Sequence, residues 1–580
     1  MSREAAATLG AVGAFAAELK RRHVVRVGVV YCAVGWVIAE VSATFLPALG
    51  VPDWSVSLVA VLLVLGLPIA LVLAWAFDLT PEGVRRTPGT PMDFGAAHAM
   101  ASVAAAPASP APVVAAALAG PALAALPFDD RSPGAEHQYL GDGITEELIN
   151  ALARMDGLHV VSRTSAFAMR GEGMDARQVG TRLGATHVVE GSIRVSDRRL
   201  RVAAQLVDVA HGFAVWAGTF DRTLDDVFCV QEDIARALVR ALQPALHDAG
   251  ADNAPALLRA STSSFDAYAL YLRGRQQWNE RTPDALRRAL RHFEEALALD
   301  PDYAAAHAGI ADCWAILVDH GITDPAEGLP AARRSADAAL RLDPLLAEAH
   351  TSSAMVKQLA WDWAGAESGF REALRLNPGY VTARQRLALL LAWLGRTGEA
   401  RHEIDRALRA DPLSPAIAAS AGWIEYYDGK YDDAIRVLRD VLRHHPGAAA
   451  ALVPLALALV QDGRPDEAVS ALRAAADSTT GAPAFPVLAI RAYALGAAGR
   501  QVEAGQISAM LEGAGTFVSP FMLAQARLGM GDADGARDAL ERAAAARAPQ
   551  LVYLLSDPMF EEIRSTPAVR RIIDTLRPPA

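Results

Sequence analysis

Two short motifs of this 580-residue chain carry five carboxylates between them. These acids are Asp129 and Asp130 in "LPFDDRSPG", and Asp142, Glu146 and Glu147 in "QYLGDGITEELINALAR". Three chemistries would use acids and glycines in such an order. A phosphate cradle needs bare backbone N–H groups at a helix start and usually a lysine. Here Asp142, Glu146 and Glu147 would repel a phosphate, so that chemistry is excluded. A divalent cation could take hard oxygen ligands from Asp129, Asp130, Asp142 and Glu146. The favoured reading is structural. Thr145 is placed to cap a helix, Glu146 and Glu147 complement the dipole of its first turn, and Gly141 and Gly143 supply positive φ in a tight turn. No metal and no cofactor is expected.

Other catalytic patterns are missing from the sequence. It contains no GxSxG, HExxH or GxxxxGK[ST]. His444 and His445 precede Pro446 at a helix end, where imidazole suits the dipole. Cys32, Cys229 and Cys313 lie far apart, forming neither a disulfide framework nor a zinc site. A formal charge of −11 argues against nucleic acid, which calls for a basic face. The chain reads as a non-enzyme.

The elements around the acids form a compact α/β unit over 122–248. "LAALPF" has a buried-strand pattern. A helix with Ile144, Leu148, Ile149 and Leu152 on one face follows, closed by Gly157 before "LHVVSR". "DARQVGTRLG" gives a second helix. "THVVEGSIRV" and "LRVAAQLVDV" then alternate, with Val189, Gly191, Ile193 and Val195 on one face of the first and Leu200, Val202, Ala204 and Leu206 on one face of the second. "AVWAGTFDR" continues the meander, and "LDDVFCVQEDIARALVRALQPAL" ends the unit. Together "LPF", "YLGDGITEELINALAR", "LHVVSRTSAF", "LGATHVVEGSIR", "LRVAAQLVDVAHGFAVWAGTFDR" and "QEDIARALV" resemble the TolB-like (FlgO-like) amino-terminal domain. The resemblance implies a mixed-sheet fold and a role in assembly or signalling, and it brings no catalytic residues.

From 260 to 547 the chain is periodic. Pro344, Pro378, Pro412 and Pro446 recur every 34 residues, each after a helix. Small or apolar residues stand at fixed offsets before Pro301 and before each of these prolines: Ala289, Ala332, Ala366, Ala400 and Ala434; Phe293, Ala336, Phe370, Ile404 and Leu438; Ala296, Ala339, Ala373, Ala407 and Val441. Turn glycines Gly395, Gly429, Gly463, Gly499 and Gly531 keep the register. About eight such units resemble tetratricopeptide repeats, an all-α solenoid of helix pairs. Such a solenoid works through the face lined by its first helices. That register places Glu348, Thr351, Gln358, Gln385, Trp393, Trp423 and Tyr426 there, a mixture of aromatic and polar groups suited to a peptide groove for protein partners. For the tryptophans, packing between repeats is the alternative. Residues 548–580 read as a capping helix.

Ahead of these units, 27–86 reads as a two-helix membrane anchor. Val27–Leu46 and Ser57–Phe77 are apolar runs with Glu40 as their one charge, each long enough to cross a bilayer core of about 30 Å. "ELKRRHVVRVGVVYCAVGW" and "AWAFDLTPEGVRR" resemble the two-span anchor found before such domains. Lys20, Arg21, Arg22, Arg26, Arg85 and Arg86 flank the hairpin, and its turn carries no Lys or Arg. Both termini, including the segment 1–26, are therefore expected on the cytoplasmic side of a bacterial inner membrane. Gly35, Ala39 and Ala43 form a small-residue stripe through which the first span would oligomerise. Residues 87–121, rich in Ala and Pro, read as a linker. The expected function is an inner-membrane scaffold or adaptor holding protein partners in its repeat groove. The alternatives are a sensor relaying a small ligand from the α/β domain, and a periplasmic envelope adaptor.

Overall fold

A computed structural model describes residues 77–80, 83–86, 120–155, 157–246, 262–446, 448–478 and 485–576, with the isolated positions Ser42 and Leu63. The expected membrane spans and the Ala/Pro-rich linker lie almost wholly outside the described residues. Among the described residues no helix is long and apolar enough to cross a membrane. In the unit ending at Ala108, Phe77–Thr80 (β1) pairs antiparallel with Gly83–Arg86 (β2).

The second unit begins with a mixed sheet. Its strands are Ala122–Ala125 (β3), Asp129–Asp130 (β4), His159–Val160 (β5), His187–Ser196 (β6), Arg199–Asp208 (β7) and Ala214–Thr223 (β8), in the order β5-β3-β6-β7-β8 with β4 beside β6. β3 runs parallel to β5 and β6, whereas β6, β7 and β8 form an antiparallel meander. Alternation decides the faces. Val189, Ile193, Val195, Leu200, Val202, Ala204 and Leu206 are buried under Gln138–Leu152 (α1) and Val227–Leu242 (α4). On the other face, Val188 and Val207 meet Val179 and Leu183 of Ala176–Leu183 (α3). Arg163–Phe167 (α2) is a short helix leaving β5.

The acid-rich stretch differs from the sequence expectation. Helix α1 starts at Gln138, so Thr145 lies inside it and caps nothing. The Thr145 hydroxyl instead donates to Gly141 O at 2.9 Å and accepts from Phe128 N at 3.1 Å, tying α1 to the end of β3. Nor do Gly141 and Gly143 take positive φ. A Cβ on Gly141 would stand 2.4 Å from the Phe128 carbonyl oxygen, and one on Gly143 2.3 Å from Leu272. Both glycines serve close approach, one to the sheet and one to the first repeat helix.

Eight helix pairs follow among the described residues. They are Phe265–Asn279 and Pro283–Leu299 (α5, α6), Ala304–Asp319 and Pro325–Leu342 (α7, α8), Ala347–Leu359 and Trp363–Leu376 (α9, α10), and Val381–Trp393 and Thr397–Ala410 (α11, α12). Then come Pro415–Tyr427 and Tyr431–His444 (α13, α14), Ala449–Gln461 and Pro465–Ser478 (α15, α16), Phe485–Ala497 and Gln501–Glu512 (α17, α18), and Pro520–Gly529 and Ala533–Ala545 (α19, α20). The small and apolar residues at the fixed offsets before the prolines are all buried, none more than 6% exposed. They let the paired helices approach. In each pair the second residue beyond the first helix is left-handed. Glycine stands there six times, at φ 65–77°, while Arg281 (57°) and Trp361 (69°) hold the same conformation with side chains.

Residues 549–576 form more than one capping helix. Two 3₁₀ stretches, Pro549–Leu555 and Pro558–Phe560, precede Glu561–Arg564 (α21) and Pro567–Leu576 (α22). The segment packs on the last pair through α20. It then runs along the first helices α7, α9 and α11, with its second 3₁₀ stretch against α15.

Candidate partner-binding groove

The face made by the first helices is occupied by the chain's own C-terminal segment. Gln550 donates its amide to Val318 O at 3.1 Å and to Asp319 O at 2.8 Å, at the end of α7. Tyr553 lies edge-on to Trp393 of α11, with ring centroids 5.4 Å apart. The Tyr426 hydroxyl of α13 donates to Asp557 Oδ1 at 2.5 Å, and Met559 N donates to the same oxygen at 3.0 Å. Trp363 Nε1 donates to Leu576 O at 2.5 Å. Apolar contact alone would let the segment slide, whereas three sets of directed bonds to the repeats fix its register.

The residues expected to line the groove divide by neighbour. Trp393 and Tyr426 touch the C-terminal segment directly and are buried. Trp423 stacks on Tyr427 at 5.4 Å and meets Tyr426 edge-on at 5.8 Å, so it reaches the segment through those rings. Gln385 braces α11 to α13 by donating to Ser420 Oγ (2.8 Å) and Ala416 O (3.2 Å). Thr351 is buried and bonds within its own helix to Ala347 O at 3.0 Å. Gln358 is buried, with its Oε1 making no hydrogen bond among the described residues. Glu348 turns toward the α/β region, where its charge acts on Glu147. Asp557, Tyr553 and Gln550 escape any reading of the sequence. They stand some 130 to 240 positions from their contacts, and no periodicity joins them.

Asp557 is the main electrostatic feature of this contact. Burial pushes its carboxyl up to about 6, although the Tyr426 hydroxyl and Met559 N–H favour the ionised form. Burial also drives the Tyr426 phenol far upward, so it remains a donor at ordinary pH.

The acid cluster does not converge on a point. Asp129 is exposed; Asp130 accepts from Ser132 N and His137 N, at 2.8 and 2.7 Å, closing the turn before α1. Asp142 pairs with Arg170 and accepts from Gln138. Glu146 bridges Arg163 (2.9 Å) and Arg275 (2.6 Å). Burial works to raise the Glu146 carboxyl, but the two guanidiniums outweigh it and hold it below the usual range. At Glu147 the balance falls the other way, although Arg154 and Arg275 favour its charged form. Burial, then Glu348 and Glu146, push it up to about 7. Among the described residues no three His, Cys, Asp or Glu side chains are grouped to hold a metal ion.

These acids sit on a seam between the α/β region and the repeats. Arg275 belongs to α5, and Gln231 of α4 donates to Tyr268 Oη of α5 at 2.7 Å. Farther along, Asp411, in the turn after α12, accepts from Ser165 N (2.9 Å) and Ser165 Oγ (2.6 Å) at the start of α2. Ser162 N donates to Ala410 O at 2.8 Å. A repeat turn thus caps a helix of the sheet region.

Comparison with known proteins agrees with the repeat geometry. Two tetratricopeptide-repeat family models match residues 359–424 and 420–483. A Rhizobium meliloti protein named "Putative adenylate cyclase 3" is 39% identical over 195 residues, covering 33% of this chain and 32% of its own. The Salmonella typhimurium protein named transcriptional regulator HilA is 28% identical over 181 residues, covering 31% of this chain and 32% of its own. The chain thus spans about a third of the length of these curated relatives. Among solved structures, yeast Tom70 is similar at 17% identity with a TM-score of 0.35, covering 60% of this chain and 83% of that one. A tetratricopeptide repeat protein from Parabacteroides merdae gives 14% and 0.30, covering 50% and 99%. The matched residues 359–483 lie within an all-α solenoid of helix pairs over 265–545, preceded by a mixed sheet within 122–223.

Proposed function

We propose that this chain is a membrane-anchored, non-enzymatic adaptor whose tetratricopeptide repeats hold protein partners on the face of their first helices. One observation carries the reading. That face already holds a peptide, the chain's own residues 549–576, through aromatic contacts and directed hydrogen bonds at Trp393, Tyr426 and the end of α7. A surface that binds one irregular segment this specifically has the chemistry to bind another, with the resident segment as its competitor. The two apolar runs at 27–46 and 57–77, with basic residues on their outer flanks, support anchoring with both ends cytoplasmic. The resemblance of 122–248 to the TolB-like domain supports a place in signalling or assembly.

Affinity capture with the full chain tests this. Asp557→Ala loosens the resident segment and is expected to raise partner recovery, while Trp393→Ala with Trp423→Ala lowers it. Recovery unchanged in both variants removes the groove reading. Topology is tested separately with a C-terminal phosphatase active only in the periplasm. It is expected to stay silent, and an active fusion would favour the envelope adaptor.

A second reading, a sensor relaying ligand occupancy from the α/β region to the repeats, is favoured by the seam itself. Asp411 on Ser165 and Glu146 on Arg275 couple the two regions through buried polar groups.

A further inference from the structure

A cavity of about 290 Å³ lies on this seam, between the α/β region and the fourth helix pair. The α/β region contributes apolar side chains to it, among them Leu158, Val160 and Leu183, together with His159. The fourth pair contributes Arg384 of α11 and Arg406 and Arg409 of α12. No aspartate or glutamate is among the residues that line it.

The charges there do not balance. Arg384 is 5% exposed, and its guanidinium donates to Glu403 Oε2 and to Pro378 O, both at 2.6 Å. Arg406 reaches the other oxygen of the same carboxylate only at 3.8 Å. Arg409 has no carboxylate within ion-pair distance among the described residues. One carboxylate, that of Glu403, is thus shared by Arg384 and Arg406, and among the described residues none is paired with Arg409. Burial, and next the charge of Arg406, push the Arg384 guanidinium downward, as expected of a cation short of counter-charge. The other arginines in the turn and second helix of the same pair are matched by acids from adjoining repeats. Arg396 is met by Glu367 and Glu399, and Arg401 by Glu425 and Asp428. Asp411, adjacent to the cavity wall at Ala410, is already bonded to Ser165.

We propose that this cavity binds a small phosphate-bearing anion, with Arg406 and Arg409 as its principal ligands and Arg384 as the buried charge behind them. Guanidiniums match phosphate oxygens in paired, planar hydrogen bonds that a carboxylate fills only in part. The volume admits a phosphate with a body about the size of a nucleoside. The apolar side chains of the α/β region would face that body. An anion here touches both regions at once, which deepens the relay reading by naming the class of ligand.

Isothermal titration of the full chain with inorganic phosphate and with adenosine monophosphate, at matched chloride, tests the site. Saturable binding is expected, with the monoester about tenfold tighter or better because its body is also held. Equal affinity for the two would assign the site to free phosphate. Arg406→Ala with Arg409→Ala, both exposed positions, is expected to weaken binding about tenfold or more while the unliganded melting temperature stays put. Arg409→Lys keeps the charge without the fork and should fall between. No binding of either probe below about 1 mM, or equal binding by the double variant, overturns the proposal. Partner capture with and without phosphate reads the relay separately, so binding without any change in capture keeps the site and removes the relay.

Discussion

The α/β region and the repeats solve the same problem, bringing backbones close, in opposite ways. In the repeats, closeness is periodic. Ala332, Ala366, Ala400 and Ala434 occupy one register position, and each pair is a local copy of the last. In the α/β region closeness is particular. Gly141 lies under one carbonyl of Phe128, Gly143 against one leucine of α5, and Gly191 under the Phe128 ring. Repetition spreads the cost of any single change over a local unit. A singular contact concentrates it, because nothing nearby substitutes for it.

Glycine substitutions should break this comparison most sharply. In an exposed helix interior Gly→Ala is normally stabilising. At Gly141 the new methyl meets backbone rather than a movable side chain, so Gly141→Ala is expected to destabilise by about 2–4 kcal/mol in urea unfolding. A neutral or stabilising result would mean that α1 can lift off the sheet freely.

Next in size is the cap across the seam. Asp411→Ala strands two donors at the start of α2 and is expected to cost about 1–3 kcal/mol. Asp343, its counterpart two repeats earlier, accepts among the described residues from Leu345 N at 3.0 Å alone, and Asp343→Ala should cost about 1 kcal/mol or less. Equal costs would show that the seam adds nothing to the turn.

The pH dependence isolates the seam acid. Because Glu147 is raised from 4.5 to about 7, the folded chain holds a proton that the unfolded chain has already released across that window. Its contribution to stability therefore falls as pH rises from 4.5 to 7, by at most about 1.4 kcal/mol per unit. Glu147→Gln should gain on the parent at pH 8 and match it near pH 4.5, as read by melting temperature. The Asp557→Asn variant should behave alike over the lower window from 3.8 to about 6. Parallel pH curves for parent and variant would remove the carboxyl from that role.

The smallest effect expected is a gain. Gly505 lies inside α18, and nothing comes within 4 Å of where an added methyl would stand, so Gly505→Ala should stabilise by about 0.5–1 kcal/mol. Loss of stability there would contradict the account of repeats as locally tolerant.

The sequence by itself determined the repeat half almost residue by residue. A period of 34 places the same small side chains at the same crossings, and a left-handed turn selects glycine at six of eight turns. These are local constraints, visible wherever they recur. Strand alternation likewise determined the faces of β6 and β7, since period two leaves one burial choice for each strand. Tertiary structure alone decided where α1 begins, because Thr145 reads as a cap until the Phe128 N–H takes its hydroxyl. It alone decided that the C-terminal segment lies along the first helices, through Asp557 on Tyr426 and Gln550 on α7. It alone also set three arginines of one repeat beside the α/β region. Contacts between positions a hundred or more apart leave no pattern in the chain, and only the closed fold brings their partners within bonding distance.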